Sequence, residues 1–126
     1  MHRNTFINSP KLLNEQFNMR ERPELYFAGQ MTGVEGYIES AASGIFAGLS
    51  MARQVRGLEA VSLPATTMLG ALSKYISSPY TENFQPMGCN MGILPDIGER
   101  IRDKKLKYAK LAERGLAELD EFIAAL

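Results

Sequence analysis

Apolar residues recur at helical spacing in three parts of the chain, which predicts three helices. The first covers about residues 33–55, the second opens at Pro64 and stops at Ser78-Pro79, and the third covers about residues 98–126. Thr32 and Glu35 have the spacing of a capping box, in which two side chains satisfy the unpaired amides of a helix start. This spacing predicts that the first helix begins near Gly33.

Shorter apolar runs predict extended backbone. Residues 24–29 combine two aromatic residues with a proline before and a glycine at the end, which favours a buried strand, and residues 5–8 favour a second, shorter one. Residues 84–95 hold too many glycines and prolines for a central strand and predict an ordered extended segment. One buried strand cannot satisfy its own backbone, so we expect it to pair with strands of a larger protein.

Small residues mark one side of the first predicted helix. Ala41, Gly44 and Gly48 follow one another at spacings of three and four. Glycine inside a helix costs about 1 kcal/mol relative to alanine. These positions therefore predict a face that another backbone approaches closely.

Composition and charge exclude several classes of function. The 126 residues suit one domain, and 14 basic residues balance 14 acidic ones, so the net charge alone would not hold nucleic acid or anionic lipid. Single copies of cysteine (Cys89) and histidine (His2) rule out a disulfide framework and a cysteine- or histidine-rich metal site. We find no membrane span or apolar leader and expect a cytoplasmic protein that does not bind membranes.

The glycines before the first predicted helix form the most informative pattern. Gly29, Gly33 and Gly36 would let a ligand approach the amides of a helix start, where a partial positive charge favours anions or a flavin edge. Their spacing does not match the G-x-G-x-x-G dinucleotide fingerprint. A sharp turn into a helix needs glycines equally, so the residues alone leave both interpretations open.

The string from Gly29 to Ala42, GQMTGVEGYIESAA, closely resembles the C-terminal flavin-contacting segment of the bacterial folate- and FAD-dependent tRNA (uracil-5-)-methyltransferases. Residues 1–10, residues 69–72, and residues 84–87 followed by 92–95 resemble further strings of this family in the same order. The related glucose-inhibited division protein A family, which modifies wobble uridines, has a similar Gly-Gln turn, but its flanking strings match less well. Together the strings cover nearly the whole chain.

The resemblance implies a fold and an activity. The implied fold class is α/β: residues 1–126 would be a mostly helical C-terminal remnant of a Rossmann-type FAD-binding domain, with residues 98–126 as an amphipathic basic helix. The complete enzyme would use methylenetetrahydrofolate, FAD and NADH or NADPH to methylate carbon five of the T-loop uridine in tRNA. Its partners would be tRNA and the missing N-terminal part of the same enzyme.

The resemblance also implies three groups of site residues. Cofactor contacts fall on Gly29, Gln30, Thr32, Gly33, Val34, Glu35, Gly36 and Tyr37. A folate or substrate pocket falls on His2, Arg3 and Asn4. Contacts to the tRNA backbone fall on Arg100, Arg102, Lys104, Lys105, Lys107, Lys110 and Arg114, although such a charge run is also typical of a solvated helix face.

Departures from the family pattern limit what this chain does alone. It lacks the N-terminal fingerprint for the FAD pyrophosphate and the region that holds the family's catalytic cysteines, so we expect the isolated chain to be inactive. Cys89 is interpreted as a small buried apolar residue and not as a nucleophile. We expect the exposed strand edge and apolar face to drive self-association. The alternatives are a stand-alone anion- or protein-binding module and a fragment of the division protein A branch.

Overall fold

The computed structural model describes residues 6–98 and 100–126 of the chain. These residues form the α-helices α1 (Ser9–Leu12), α2 (Tyr37–Val55), α3 (Met68–Ser77) and α4 (Lys104–Ala124). Two short 3₁₀ helices cover Gly29–Thr32 and Met91–Ile93. Loops and extended segments connect them, so the mostly helical character predicted from the sequence is confirmed.

The predicted strand over residues 24–29 is wrong for this chain. Across residues 6–98 and 100–126, strand-like pairing is limited to the isolated bridges Leu13–Met19, Asn18–Tyr26 and Val34–Met87. Tyr26 makes one antiparallel bridge, the Phe27 amide donates to the Phe17 carbonyl at 2.9 Å, and Leu25 is 42% exposed. A strand needs a neighbour along its length, and here only the short loop at residues 17–19 lies beside it.

The predicted strand over residues 5–8 is also wrong where it can be compared. Residue 5 lies outside the described residues, and residues 6–8 have no regular strand structure. One backbone hydrogen bond, from the Ile7 amide to the Met31 carbonyl at 2.8 Å, joins this segment to the turn that follows residue 28.

The three predicted helices end close to their predicted limits, but each begins later, and α1 was not predicted. α2 begins at Tyr37 instead of Gly33, so the predicted Thr32–Glu35 capping box is wrong. The first residue of α3 is Met68, where the Thr67 hydroxyl accepts a hydrogen bond from the Gly70 amide at 3.0 Å. Asp103 caps α4 in the same manner through the Lys105 amide, also at 3.0 Å.

The core lies where α1 and α2 pack on α3. Leu13, Phe17, Leu72 and Ile76 are completely buried there. The ring of Phe17 meets the ring of Phe46 from α2 edge to face, with 6.3 Å between their centres. Burial of these side chains fixes the position of α2, and with it the turn that leads into α2.

α4 packs against the start of α3. Leu111 is buried, and a Cβ atom added to Gly115 would lie 2.7 Å from the Thr66 carbonyl oxygen. Glycine at this position therefore permits the close approach of α4 to the residues that precede α3. Leu119 and Phe122, further along α4, pack against the edge of the core.

Candidate functional site

The chain makes a compact turn between the core and α2, which we call the Gly-rich turn (residues 29–37). It begins with the 3₁₀ helix Gly29–Thr32 and continues through Gly33 and Gly36, whose φ angles are +94° and +106°. Residues other than glycine rarely adopt such positive φ angles. The two glycines change the chain direction before α2 starts, which explains why the helix begins at Tyr37.

Hydroxyl groups hold the Gly-rich turn from the core side. The Ser43 hydroxyl of α2 accepts a hydrogen bond from the Gly29 amide at 2.8 Å. The Thr32 hydroxyl donates to the Gly29 carbonyl, and the Ser9 hydroxyl donates to the Thr32 carbonyl, both at 2.7 Å. Thr32 is completely buried, so its side chain supports the turn and does not face a ligand.

Sequence reasoning missed Ser9 and Ser43 as supports of the turn. Both are completely buried and satisfy their hydroxyl groups within the chain. The available signal was weak: Ser40 and Ser43 interrupt an apolar helix at a spacing of three. Such serines commonly bond to their own helix, so the bond between the Gly29 amide and Ser43 could not be read from the spacing.

The segment after α3 closes the second side of the Gly-rich turn. Met87 pairs with Val34 in a parallel bridge: the Glu35 amide donates to the Met87 carbonyl at 2.9 Å, and the Met87 amide donates to the Gly33 carbonyl at 2.8 Å. The Phe84 ring lies directly against Gly33, where a Cβ atom would overlap it. The prediction of an extended segment over residues 84–95 is confirmed for residues 84–90 and wrong for the 3₁₀ helix Met91–Ile93, and Val34 is buried beneath the extended part.

The opposite side of the Gly-rich turn faces solvent. Gln30, Glu35 and Gly36 are exposed, and Tyr37 is 98% exposed. The Ser40 amide makes the first helical bond, to the Gly36 carbonyl at 3.0 Å, so the three preceding amides have no partner within α2. The first residues of α2 and the exposed ring of Tyr37 therefore lie together beside Gly36.

Glu39 adds a negative charge at this helix end. Its carboxylate lies over Gly36 and 3.2 Å from the position of a Cβ on Gly88, and it accepts a long hydrogen bond from the Cys89 amide at 3.4 Å. A carboxylate near a helix N-terminus is favourable for the helix. The same charge opposes a second anion, so a ligand must approach from the Tyr37 side.

Cys89 does not have the buried environment that its sequence predicted. The residue is exposed. Partial burial of the thiol, and then the negative charge of Glu39, raise the pKa of Cys89. A smaller fraction of thiolate at neutral pH lowers nucleophilicity, which agrees with leaving Cys89 out of the chemistry.

The predicted tRNA-contacting residues have different environments. Arg100, Arg102, Lys104 and Lys105 are exposed, whereas Lys107 and Lys110 are half-buried. Arg114 donates from its guanidinium to the carbonyls of Pro95 and Asp96, at 2.5 and 3.0 Å, and so fixes the loop before α4. The structure therefore gives Arg114 a role in the fold, and the exposed charge lies at the start of α4.

Residues 6–98 and 100–126 contain no group of three or more histidine, cysteine or acidic side chains arranged to hold a metal ion. None of the helices in this part of the chain has the length and apolar character needed to cross a membrane. The predicted pocket residues His2, Arg3 and Asn4 lie outside the described residues.

Known proteins that are similar to this chain over most of its length agree with the family resemblance of its sequence strings. The family described as "Glucose inhibited division protein A" matches residues 1–59. Proteins named methylenetetrahydrofolate--tRNA-(uracil-5-)-methyltransferase TrmFO are similar throughout: the one from Brevibacillus brevis is 54% identical over 122 residues, and the one from Lactiplantibacillus plantarum is 56% identical over 122 residues. The alignment covers 97% of this chain in both cases.

This chain belongs to the methylenetetrahydrofolate--tRNA-(uracil-5-)-methyltransferase family. It spans 28% of the length of these two relatives, and the same share of a third from Halalkalibacterium halodurans, which is 53% identical over 123 residues. As a member of this methyltransferase family, it therefore corresponds to one segment of a longer protein. The division protein A match includes the Gly-rich turn and all of α2.

Proposed function

We propose that this chain is the C-terminal part of a tRNA (uracil-5-)-methyltransferase and that its Gly-rich turn contacts one edge of the flavin in FAD. The observation that carries the proposal is the solvent-facing side of this turn, where the exposed start of α2 lies beside Gly36 and Tyr37. The names and identities of the relatives support the assignment to a methyltransferase. The proposed domain is the end of a Rossmann-type FAD-binding domain in the cytoplasm.

The residues of the turn fit the edge of a flavin ring. Gly36 has no side chain, but the Glu39 carboxylate lies over the position that a Cβ would take, so a planar ring reaches this backbone from the Tyr37 side. The amides of the first turn of α2 carry partial positive charge, which attracts the polar edge of a flavin, whereas the Glu39 carboxylate opposes a full negative charge beside it. Tyr37 adds a fully accessible aromatic surface.

The remaining predicted contacts divide by burial. Gln30 and Glu35 are exposed and are proposed to contact the cofactor through their side chains. Thr32, Gly33 and Val34 are buried, so their part is to hold the backbone in position. Gly29 supports the turn through its bonds to Ser43 and Thr32.

The chemistry of the complete enzyme follows from its proposed cofactors. Reduced FAD supplies the electrons that turn the methylene group of methylenetetrahydrofolate into the methyl group of the product, and NADH or NADPH is proposed to renew them. The residues of this chain bind and orient the ring. The uridine of the tRNA T-loop is the proposed acceptor, and catalytic groups are assigned to the part of the enzyme outside these 126 residues.

The proposed tRNA contact uses the exposed cations near the start of α4. Arg100, Arg102, Lys104 and Lys105 are close in sequence and reach solvent. Phosphates are attracted to such clusters regardless of base sequence. Lys107 and Lys110 complete the proposed surface, whereas Arg114 supports the loop beside it.

A hybrid protein tests the proposal. In it, this chain replaces the matching 122 residues of the Brevibacillus brevis relative. We expect the purified hybrid to carry FAD, seen by its visible absorbance, and to methylate uridine in tRNA when methylenetetrahydrofolate and a nicotinamide donor are present. A folded hybrid without flavin and without activity would contradict the proposal and favour a stand-alone binding module.

Matched glycine variants locate the flavin contact. Gly36→Val places a branched side chain at the exposed start of α2, whereas Gly57→Val introduces the same side chain at another positive φ angle, +73°, beyond the far end of this helix. Both variants strain the backbone, and Gly36→Val also displaces the Glu39 carboxylate, whereas the space at Gly57 is open. We expect only Gly36→Val to lower the FAD content of the folded hybrid, and equal FAD loss in the two variants would remove the assigned contact.

A further inference from the structure

The structure exposes an apolar face of α2 that the proposed function does not use. We call it the outer face of α2, and it consists of Ile38, Ala41, Ile45, Gly48, Ala52 and Val55, all of which are exposed. Ile38 and Val55 are each 81% exposed and Ile45 is 74% exposed. Large aliphatic side chains are rarely exposed along a whole helix side unless a partner covers them.

The spacing of the outer face is that of a buried helix contact. Its residues follow one another at intervals of three, four, three, four and three, so they form one continuous seam along all of α2. The small residues Ala41, Gly48 and Ala52 lie between the large ones in this seam. A partner can therefore insert side chains between Ile38, Ile45 and Val55.

The opposite side of α2 is already occupied. Ser43, Phe46, Ala47 and Ser50 are buried against the rest of this chain. α2 is consequently buried on one side and exposes an apolar seam on the opposite side, where a surface helix normally presents polar and charged residues. Glu39 and Arg53, near its two ends, are its charged residues.

The glycines of α2 support the same conclusion. Cβ atoms added at Gly44 or Gly48 would meet no atom of the described chain within 4 Å, and neither glycine has a positive φ angle. Neither crowding within this chain nor backbone geometry therefore calls for glycine, which is a poor helix former. Close approach of a backbone from outside the described chain explains why glycine occupies these positions.

We propose that the outer face of α2 is the contact surface for the part of the same methyltransferase that lies outside these 126 residues. This chain spans 28% of the length of the matched relatives, so the rest of the complete protein is long enough to cover the seam. The occupant is thus an apolar element of the enzyme, packed closely at Ala41 and Gly48.

The test measures the accessibility of a thiol on the outer face. In a Cys89→Ser background, Ile45→Cys is labelled with a maleimide in the 126-residue chain and in the hybrid protein, and the labelled peptide is identified by mass spectrometry. Ile123→Cys on α4, where the native residue is 56% exposed, is the matched control. We expect labelling at position 45 to be at least tenfold slower in the hybrid, with less than a twofold change at position 123.

Two results would overturn this inference. Equal labelling at position 45 in both proteins would show that the enzyme leaves the seam open. Labelling that slows as the concentration of the isolated chain rises, with no further protection in the hybrid, would assign the seam to a second copy. Ala52→Cys repeats the measurement with a smaller change, in case Ile45→Cys prevents the hybrid from folding.

The readout is independent of the proposed flavin contact. Labelling needs no FAD, folate or tRNA, so protection at position 45 can be found in a hybrid that lacks flavin. Conversely, a hybrid that carries FAD and remains open at position 45 would retain the proposed function and contradict the contact surface.

Discussion

α2 and α4 are the two longest helices of the described chain, and they differ in the kinds of residues that they expose to solvent. α2 has 19 residues, of which Glu39 and Arg53 are charged, whereas α4 has 21 residues and nine charged side chains. α4 buries Leu111 and Gly115 and exposes most of its charges. α2 buries one side and exposes an apolar seam along its whole length on the other, whereas the exposed apolar residues of α4, such as Leu116 and Ile123, lie among charged ones.

The largest expected effect contrasts one aliphatic side chain on each helix. Leu111→Ala removes a buried side chain of α4, so we expect it to lower the free energy of unfolding by about 2–5 kcal/mol. Ile45→Ala removes an exposed one and should change it by less than about 0.5 kcal/mol. Urea unfolding of the isolated chain measures both, and a comparable loss for Ile45→Ala would mean that the outer face is already buried.

A glycine in each helix should respond in opposite directions. Gly115→Ala forces a Cβ to 2.7 Å from the Thr66 carbonyl oxygen, so we expect the isolated chain to lose about 1–3 kcal/mol. Gly48→Ala meets open space and improves helix propensity, which should add about 1 kcal/mol. Thermal unfolding distinguishes them, and destabilisation by Gly48→Ala would indicate a contact at that position within the isolated chain.

The charged start of α4 should make the affinity for tRNA depend on salt concentration. Replacing Lys104 and Lys105 by glutamine in the hybrid removes two proposed phosphate contacts. The slope of log affinity for tRNA against log salt concentration should then become shallower by roughly 0.7–0.9 for each contact. Lys11→Gln, an exposed change on α1, is the control, and an unchanged slope in the double variant would make these lysines a solvated surface only.

The smallest expected effect concerns the single charge at the start of α2. The negative charge of Glu39 disfavours the Cys89 thiolate, so Glu39→Gln should lower the pKa of Cys89 and speed its alkylation at a fixed pH near 8. Partial burial is the larger cause of the raised pKa and remains in the variant. Alkylation rates measured across pH decide the point, with Glu82→Gln as the control; identical pH profiles would place Glu39 too far away to act.

Helix ends show how far the sequence could predict this fold. The apolar spacing of α3 and the Ser78-Pro79 step were sufficient to predict its end, because proline cannot continue the helical pattern. The start of α2 was predicted four residues early, since Thr32 and Glu35 have capping spacing but their backbones bond elsewhere. Local spacing does not reveal which distant group competes for a backbone amide.

Exposure was predicted less well than helical structure. The run at residues 24–29 has the composition of a buried strand, yet Leu25 is 42% exposed because no neighbouring strand covers it here. Cys89 was expected inside and lies outside, next to Glu39. Burial depends on what surrounds a residue, so it cannot be read from that residue's chemistry alone.

The sequence by itself determined the three longer helices, the family and the need for glycine before α2, because these depend on local spacing and on strings of adjacent residues. Tertiary structure alone decided that Ser9, Ser43 and Met87 hold the Gly-rich turn, since those bonds join residues far apart in the chain. It also decided that α2 keeps its outer face open. The physical reason is that an apolar pattern in the sequence shows only that a helix face is favoured in contact with other apolar residues. The packing of the folded chain shows which of these faces are buried within it.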